Sequence, residues 1–188
     1  MTRLLILTGS IRTRSYSCSL ARFAAQQIAE RDATPLLWDH RKRPLPFADP
    51  EYHKRPAANP DPAVRELVQL ADVTNAFVLA SPVYHNSYSG LLKNALDHLT
   101  MEQFRGKPVV LLGHGPRLTA IQAVDHLRTV VRGLYGLALP DQAVTTPEDY
   151  GTDEEGEPYL KEEGQRARVT GVVSVLLKAA GHRTGDCG

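Results

Sequence analysis

Three short segments carry most of the residues whose types and spacing can do chemistry. The first is Gly9-Ser10-Ile11-Arg12-Thr13-Arg14-Ser15-Tyr16-Ser17-Cys18-Ser19. It brings serine hydroxyls, two guanidinium groups and a leading glycine to the start of a helix-forming stretch. A helix N-terminus offers unpaired N–H groups and the positive end of the helix dipole. Hydroxyls and an arginine fork add donors, so the segment reads as a phosphate-binding loop. A solvated, serine-rich helix cap is the competing reading. Neither G-x-G-x-x-G nor G-x-x-x-x-G-K-[ST] occurs in this segment. A monophosphate is therefore expected there, rather than ATP or a Rossmann pyrophosphate.

The second segment is Ser81-Pro82-Val83-Tyr84-His85-Asn86-Ser87-Tyr88-Ser89-Gly90. Pro82 stiffens the chain. Tyr84, His85 and Asn86 would stand at a strand end among backbone amides, where a flat heterocycle can stack and accept hydrogen bonds. As plain structure, the segment is a helix-capping turn with Ser87 or Ser89 as N-cap. The third segment is Gly113-His114-Gly115-Pro116-Arg117. Its two glycines permit close backbone approach to a flat ligand, although position 118 holds leucine where a dinucleotide fingerprint has its third glycine. His85 and His114 are the groups in these loops that titrate near neutrality. Cys18 reads as a packing residue, and the histidines show no H-x-x-x-H spacing, so no metal site is expected.

The elements that would position these segments follow from hydrophobic pattern. Residues 3–8 form a continuous apolar run, as expected of a parallel strand covered on both faces. A helix is predicted from about Ser17 to Arg31, then a strand at 34–39 and a proline-rich loop at 40–61. Asp61 and Pro62 open a second helix as N-cap and first helical residue. A third strand is predicted at 72–80, a helix at 89–99, a fourth strand at 108–112, a helix at 119–137 and a fifth strand at 142–145. An acidic loop spans 149–164 and a closing helix 163–180, with a frayed tail from Gly181. Strand–helix alternation repeated five times predicts an α/β fold, a doubly wound parallel sheet with helices on both faces. In such sheets ligands sit at the carboxyl ends of the strands, which is where all three segments fall.

Composition narrows the classes. A chain of 188 residues suits one domain. With 42% hydrophobic residues it has the apolar content to build a core. Lys plus Arg is 22 and Asp plus Glu is 21, so no basic excess exists to neutralise a nucleic acid. The apolar runs are too short for a membrane helix or a signal peptide. Two cysteines, Cys18 and Cys187, are too few for a disulfide framework. A soluble cytoplasmic protein is the expectation. The basic run His40-Arg41-Lys42-Arg43 is a solvated loop or a receptor for a 2′-phosphate.

The segments also match a family pattern. Gly9-Ser10-x-Arg12-x-x-Ser15, together with Ser81-Pro82-x-Tyr84-x-x-Ser87-x-Ser89-Gly90-x-Leu92-Lys93-Asn94-x-Leu96-Asp97, resembles the NADPH-dependent FMN reductases of the flavodoxin-like fold. The likeness continues through Gly106-Lys107-Pro108 and Ala123–Arg128 and covers roughly residues 3–145. The branch it most resembles feeds reduced flavin to two-component sulfonate monooxygenases; azoreductases and quinone or chromate reductases share the motifs. The resemblance implies a five-stranded sheet of order 2-1-3-4-5 with FMN at the switch point. Ser10, Arg12, Ser15 and Ser17 would hold its phosphate. Pro82, Val83, Tyr84, His85 and Asn86 would line the isoalloxazine, and Gly113, His114 and Gly115 would meet its pyrimidine end. In the third segment His114, Pro116 and Arg117 depart from the small residues usual in the family.

The resemblance further implies a homodimer or homotetramer packed through the helices beginning near Ser89 and Thr119. His126 stands where the sulfonate branch often has tyrosine. The implied reaction is hydride transfer from NADPH or NADH to the flavin, with no dedicated catalytic side chain. The main alternative keeps FMN bound and reduces a quinone, an azo compound or another small organic acceptor. An electron carrier of the flavodoxin type fits less well, because flavodoxins are strongly acidic and this chain is balanced. An interaction module built on the acidic segment 149–163 is the last alternative.

Overall fold

In a computed structural model the alternation becomes a three-layer α/β fold. The structure describes residues 1–181, without the side chain of Leu118. The frayed tail predicted from Gly181 falls almost entirely outside the described residues. Strands β1 (Arg3–Thr8), β2 (Thr34–Trp38), β3 (Ala76–Tyr84), β5 (Pro108–His114) and β6 (Leu137–Thr145) form a parallel sheet of order β2-β1-β3-β5-β6. Counted without the short β4 (Ser87–Tyr88), which pairs antiparallel with the end of β3, this is the expected 2-1-3-4-5 order.

Alternate residues of each strand enter opposite cores, as the pleat requires. Leu4, Ile6, Val78 and Val110 pack under α1 (Tyr16–Ala29) and α6 (Glu163–Gly181). Leu5, Leu7, Phe77, Leu79 and Leu111 pack under α2 (Pro62–Asp72), α3 (Gly90–Asp97) and α5 (Ala120–Gly133). Both faces of β1, β3 and β5 are therefore apolar, which is why these strands lack alternation in sequence. Among the described residues, no helix is long and apolar enough to cross a membrane.

The structure corrects several boundaries. The third strand begins at Ala76 rather than Asp72, because α2 runs through Asp72 and the next residues bond to β1. The Thr74 hydroxyl donates to Arg3 O, and the Asn75 side chain accepts from Arg3 N. The same strand continues through Pro82 to Tyr84 and turns back as β4, so a β-hairpin precedes the capped helix start, where Ser89 is the N-cap as expected and Ser87 is not. Its two loop residues, His85 and Asn86, have φ of 49° and 62°. Two successive left-handed residues make the turn whose twist suits a two-residue hairpin. A one-turn helix, α4 (Met101–Phe104), follows α3 with a Thr100–Gln103 capping box.

The helix predicted to reach residue 137 stops at Gly133, and the last parallel strand starts at Leu137 instead of 142. A register shift between Val109 and Leu111 accommodates this edge strand, which carries Pro140. The acidic segment holds a two-stranded ribbon, β7 (Tyr150–Thr152) with β8 (Pro158–Leu160). Tyr150 and Leu160 are buried and belong to the core beneath α1 and α6.

Phe77 from β3 and Phe104 from α4 stack with ring centroids 4.0 Å apart, and both are fully buried. Truncating Phe77 to alanine leaves a cavity in the middle of the sheet. Urea denaturation of Phe77→Ala is expected to show a loss of about 3–5 kcal/mol. A loss near zero would mean that this stack does not anchor α4 to the sheet.

Candidate functional site

The carboxyl ends of β1, β3 and β5 are neighbours in the sheet, so the three chemistry-bearing segments converge. Glycines allow the contact. A Cβ at Gly9 would lie 2.5 Å from Ser89 Oγ, 2.9 Å from Ser81 Oγ and 3.1 Å from Pro82 Cδ. A Cβ at Gly115 would collide with Val83 Cγ1, and one at Gly113 would lie 2.8 Å from the Ala120 carbonyl. Gly9 thus joins the first segment to the second, and Gly115 joins the second to the third.

In the first segment Ser15 is the N-cap of α1; its Oγ accepts from Cys18 N at 3.2 Å and lies 3.1 Å from Ser17 Oγ. Ser10 Oγ accepts from Arg12 N at 3.2 Å. Ser10, Ser15 and Ser17 are buried and Arg12 is exposed. No acidic residue occupies the first turn of α1, so the positive end of its dipole is not neutralised from within the helix. The serine hydroxyls order the loop ahead of a helix whose first turn holds no carboxylate, with Arg12 exposed in the same loop. Arg14 lies against Gly156 of the β7–β8 turn, and Arg22 pairs with Glu157 at 3.5 Å. Sequence reasoning missed this ribbon; its hydrophobic signal is only the isolated Tyr150 and Leu160.

In the second segment Ser81 Oγ donates to Pro82 O at 2.8 Å and accepts from Ser89 N at 3.0 Å, locking the hairpin base to the start of α3. Ser89 is the N-cap of α3, its Oγ accepting from Leu92 N. Ser87 has a different partner: its Oγ lies 2.9 Å from His126 Nδ1 on α5. Pro82 is buried, Val83 half-buried and Tyr84 53% exposed; His85 and Asn86 form the open tip.

The third segment splits in direction. Gly115 N donates to Thr145 O at 3.1 Å, which holds the loop backbone against β6. His114 is only 8% exposed and turns into a cluster with Tyr16 and Tyr150, with ring centroids at 4.7 and 5.4 Å. Its Nδ1 lies 3.2 Å from Thr145 Oγ1, which is also 2.9 Å from the Tyr150 hydroxyl. His114 therefore supports the loop from below. Sequence reasoning missed Tyr16, Thr145 and Tyr150, which come from two distant stretches and share no local pattern.

The basic run is largely committed. Arg41 pairs with Asp39 at 3.3 Å and donates to Thr13 O. Arg43 pairs with Glu66 at 2.6 Å and lies 4.4 Å above the Trp38 ring. His40 is 3% exposed, and neither ring nitrogen makes a hydrogen bond. Lys42 is exposed and pairs with nothing among the described residues.

Burial holds the pKa of His40 and of His114 down to about 4. The Asp39 carboxylate pulls against this at His40, as do Asp149 and Glu148 at His114. Both rings are then neutral in the fold and protonate near the ordinary value of about 6.5 once unfolded. The unfolded chain binds more protons, so this stability is complete above pH 6.5 and is lost as pH falls from 6.5 to 4. Each ring is expected to contribute up to about 3 kcal/mol to that slope. Urea midpoints measured at pH 7 and pH 4.5 should differ strongly, and His114→Phe should flatten the difference. An unchanged pH slope in that variant contradicts the assignment.

A family model described as NADPH-dependent FMN reductase matches residues 2–151. FMN-dependent NADPH-azoreductases of Staphylococcus aureus strains are 34% identical over 158 residues, 84% of this chain and 84% of theirs. Among solved structures, the flavoenzyme NAD(P)H:(acceptor) oxidoreductase FerB from Paracoccus denitrificans superposes with a TM-score of 0.77. It is 21% identical, with 97% of this chain and 98% of that one covered. An apo NADH:FMN oxidoreductase gives 0.74 at 20% identity, covering 94% of this chain and 88% of the other. These two likenesses show the shared fold. The match over residues 2–151 and the curated relatives show more: the chain belongs to the NADPH-dependent FMN reductase family.

Proposed function

We propose that the protein is an NAD(P)H:FMN oxidoreductase whose flavin lies across the three converging strand ends. The observation that carries this reading is the glycine seam. Side chains at Gly9 or Gly115 would collide with Ser89 or Val83 and push apart the three loops that would share one ligand. FMN fits the residues present. Its phosphate would be held by Ser10, Ser15, Ser17 and Arg12 at an α1 terminus without an opposing carboxylate. Pro82, Val83, Tyr84, His85 and Asn86 would line the ring, and the Gly113 to Gly115 backbone would meet its pyrimidine end. When bound, the flavin supplies the acceptor for a nicotinamide hydride and the donor for the next electron acceptor. This chain's part is to orient the ring, leave one face open at the exposed Tyr84–Asn86 tip and offer N–H groups to negative charge. His114 acts on the ring only through the backbone it supports. A single domain working as a homodimer or homotetramer through the faces of α3 and α5 completes the reading.

Two acceptors are compatible with this site. In the first, free FMN is itself the substrate and leaves reduced for a partner monooxygenase. In the second, FMN stays bound and an azo, quinone or other small organic acceptor takes the electrons; the Staphylococcus aureus azoreductases favour this one.

Protein loaded with FMN should be yellow and bleach when NADPH is added anaerobically; no bleaching rejects the reductase reading. Arg12→Ala is expected to weaken FMN binding about tenfold through loss of one charge-assisted contact, measured by fluorescence quenching. Steady-state kinetics then separate the acceptors. Saturable turnover of free FMN supports flavin supply, and ping-pong turnover of an azo dye with retained FMN supports the second.

A further inference from the structure

A concave space lies beside the first of the three converging loops, bordered by Thr8 and Cys18. It is a cavity of about 370 Å³ at the carboxyl end of β2, with Leu37 and Trp38 in its wall and Arg22 of α1 opposite the stretch after β2. Ser10, Arg12, Ser15 and Ser17 do not line it. We propose that this cavity seats the phosphorylated adenosine half of NADPH, with Lys42 and Arg22 selecting its 2′-phosphate. The proposal rests on the reductase reading and adds to it a location and a basis for choosing NADPH over NADH.

Charge is the first argument. Arg22, Arg41, Lys42 and Arg43 all border this one space, in a chain whose formal net charge is only +1. Asp39 is the carboxylate in the lining, and it is occupied: Arg41 holds both of its oxygens, at 3.3 and 3.4 Å. The four cations divide by commitment. Arg41 and Arg43 are tied by Asp39 and Glu66, which fixes the stretch after β2 in place. Lys42 pairs with nothing among the described residues, and Arg22 makes a single long contact to Glu157 at 3.5 Å. A guanidinium has five donors, so Arg22 keeps capacity for a further anion. A phosphate monoester carries about −1.5 to −2 charges near neutrality, which suits two cations that remain available.

Size and position are the second. The volume falls within the ~300–1,000 Å³ of small-molecule sites. In the sheet β2 is separated from β3 by β1 alone, so its end lies about 10 Å from the proposed flavin ring site. A dinucleotide folded short of its full length bridges that distance with its nicotinamide over the ring site and its adenosine at β2. NADH has a hydroxyl where NADPH has the 2′-phosphate, so cations placed there discriminate by charge.

The test uses FMN-loaded protein and two compact probes without a nicotinamide. By calorimetry, 2′,5′-ADP is expected to bind about tenfold more tightly than 5′-AMP, and Lys42→Glu or Arg22→Gln should remove the difference. Lys42 is exposed, so its replacement tests binding without threatening the fold. In steady-state assays, Lys42→Glu should raise KM for NADPH about tenfold while KM for NADH changes less than about twofold. Equal affinity for the two probes, inorganic phosphate binding as tightly as 2′,5′-ADP, or equal shifts in both KM values would overturn the assignment. If NADPH oxidation is intact but the probes are not discriminated, this site alone fails. If probe discrimination holds but NADPH is never oxidised, the reductase reading fails instead.

Discussion

At Gly9 and Gly115 the loops after β1, β3 and β5 come close enough that a single methyl group would collide with a neighbouring side chain. The rest of the site depends on that approach. It requires the three strands to be parallel neighbours, so that their carboxyl ends share one edge of the sheet. It also requires the hairpin base to be held down, which Ser81 does by bonding both Pro82 O and Ser89 N. With those constraints met, the three loops close into one floor, in which the Gly9 and Gly115 amides are bonded to Ala80 O and Thr145 O.

Beneath that floor the structure uses polar side chains as supports. Ser15 spends its hydroxyl on capping α1. His114 and Tyr150 share Thr145, and the Gly115 amide bonds the Thr145 carbonyl. The cost of placing a histidine there is visible in its depressed pKa, since burial disfavours the charged ring. The acidic ribbon is a support of another kind. Tyr150 and Leu160 enter the core, while Glu157 pairs with Arg22 and Gly156 lies under Arg14.

The basic stretch after β2 shows why charge in sequence and charge in space differ. Four consecutive basic residues read as one patch, yet His40 is buried, Arg41 is bound to Asp39 and Arg43 to Glu66. Lys42 alone of the four stays uncommitted, and its companion at the cavity is Arg22, from another element. A receptor for a phosphate needs cations that are close and free, and only packing decides both.

From the sequence alone, the strand–helix alternation, the apolar strands β1, β3 and β5, the capped start of α2 and the three chemistry-bearing segments were all legible. Each rests on local signals: an apolar run, Asp61 before Pro62, glycines and serines at strand ends. The family resemblance was legible for the same reason, because its motifs are contiguous. The hairpin at Pro82–Tyr88 was not, since His85 and Asn86 adopt left-handed turn geometry that usually announces itself through glycine. The β7–β8 ribbon and the early start of β6 were hidden too, because short pairings draw their stability from partners far along the chain. The inward turn of His114 and the division of the basic run were decided by tertiary structure. Burial and ion pairing depend on which surfaces meet, and no local pattern encodes that.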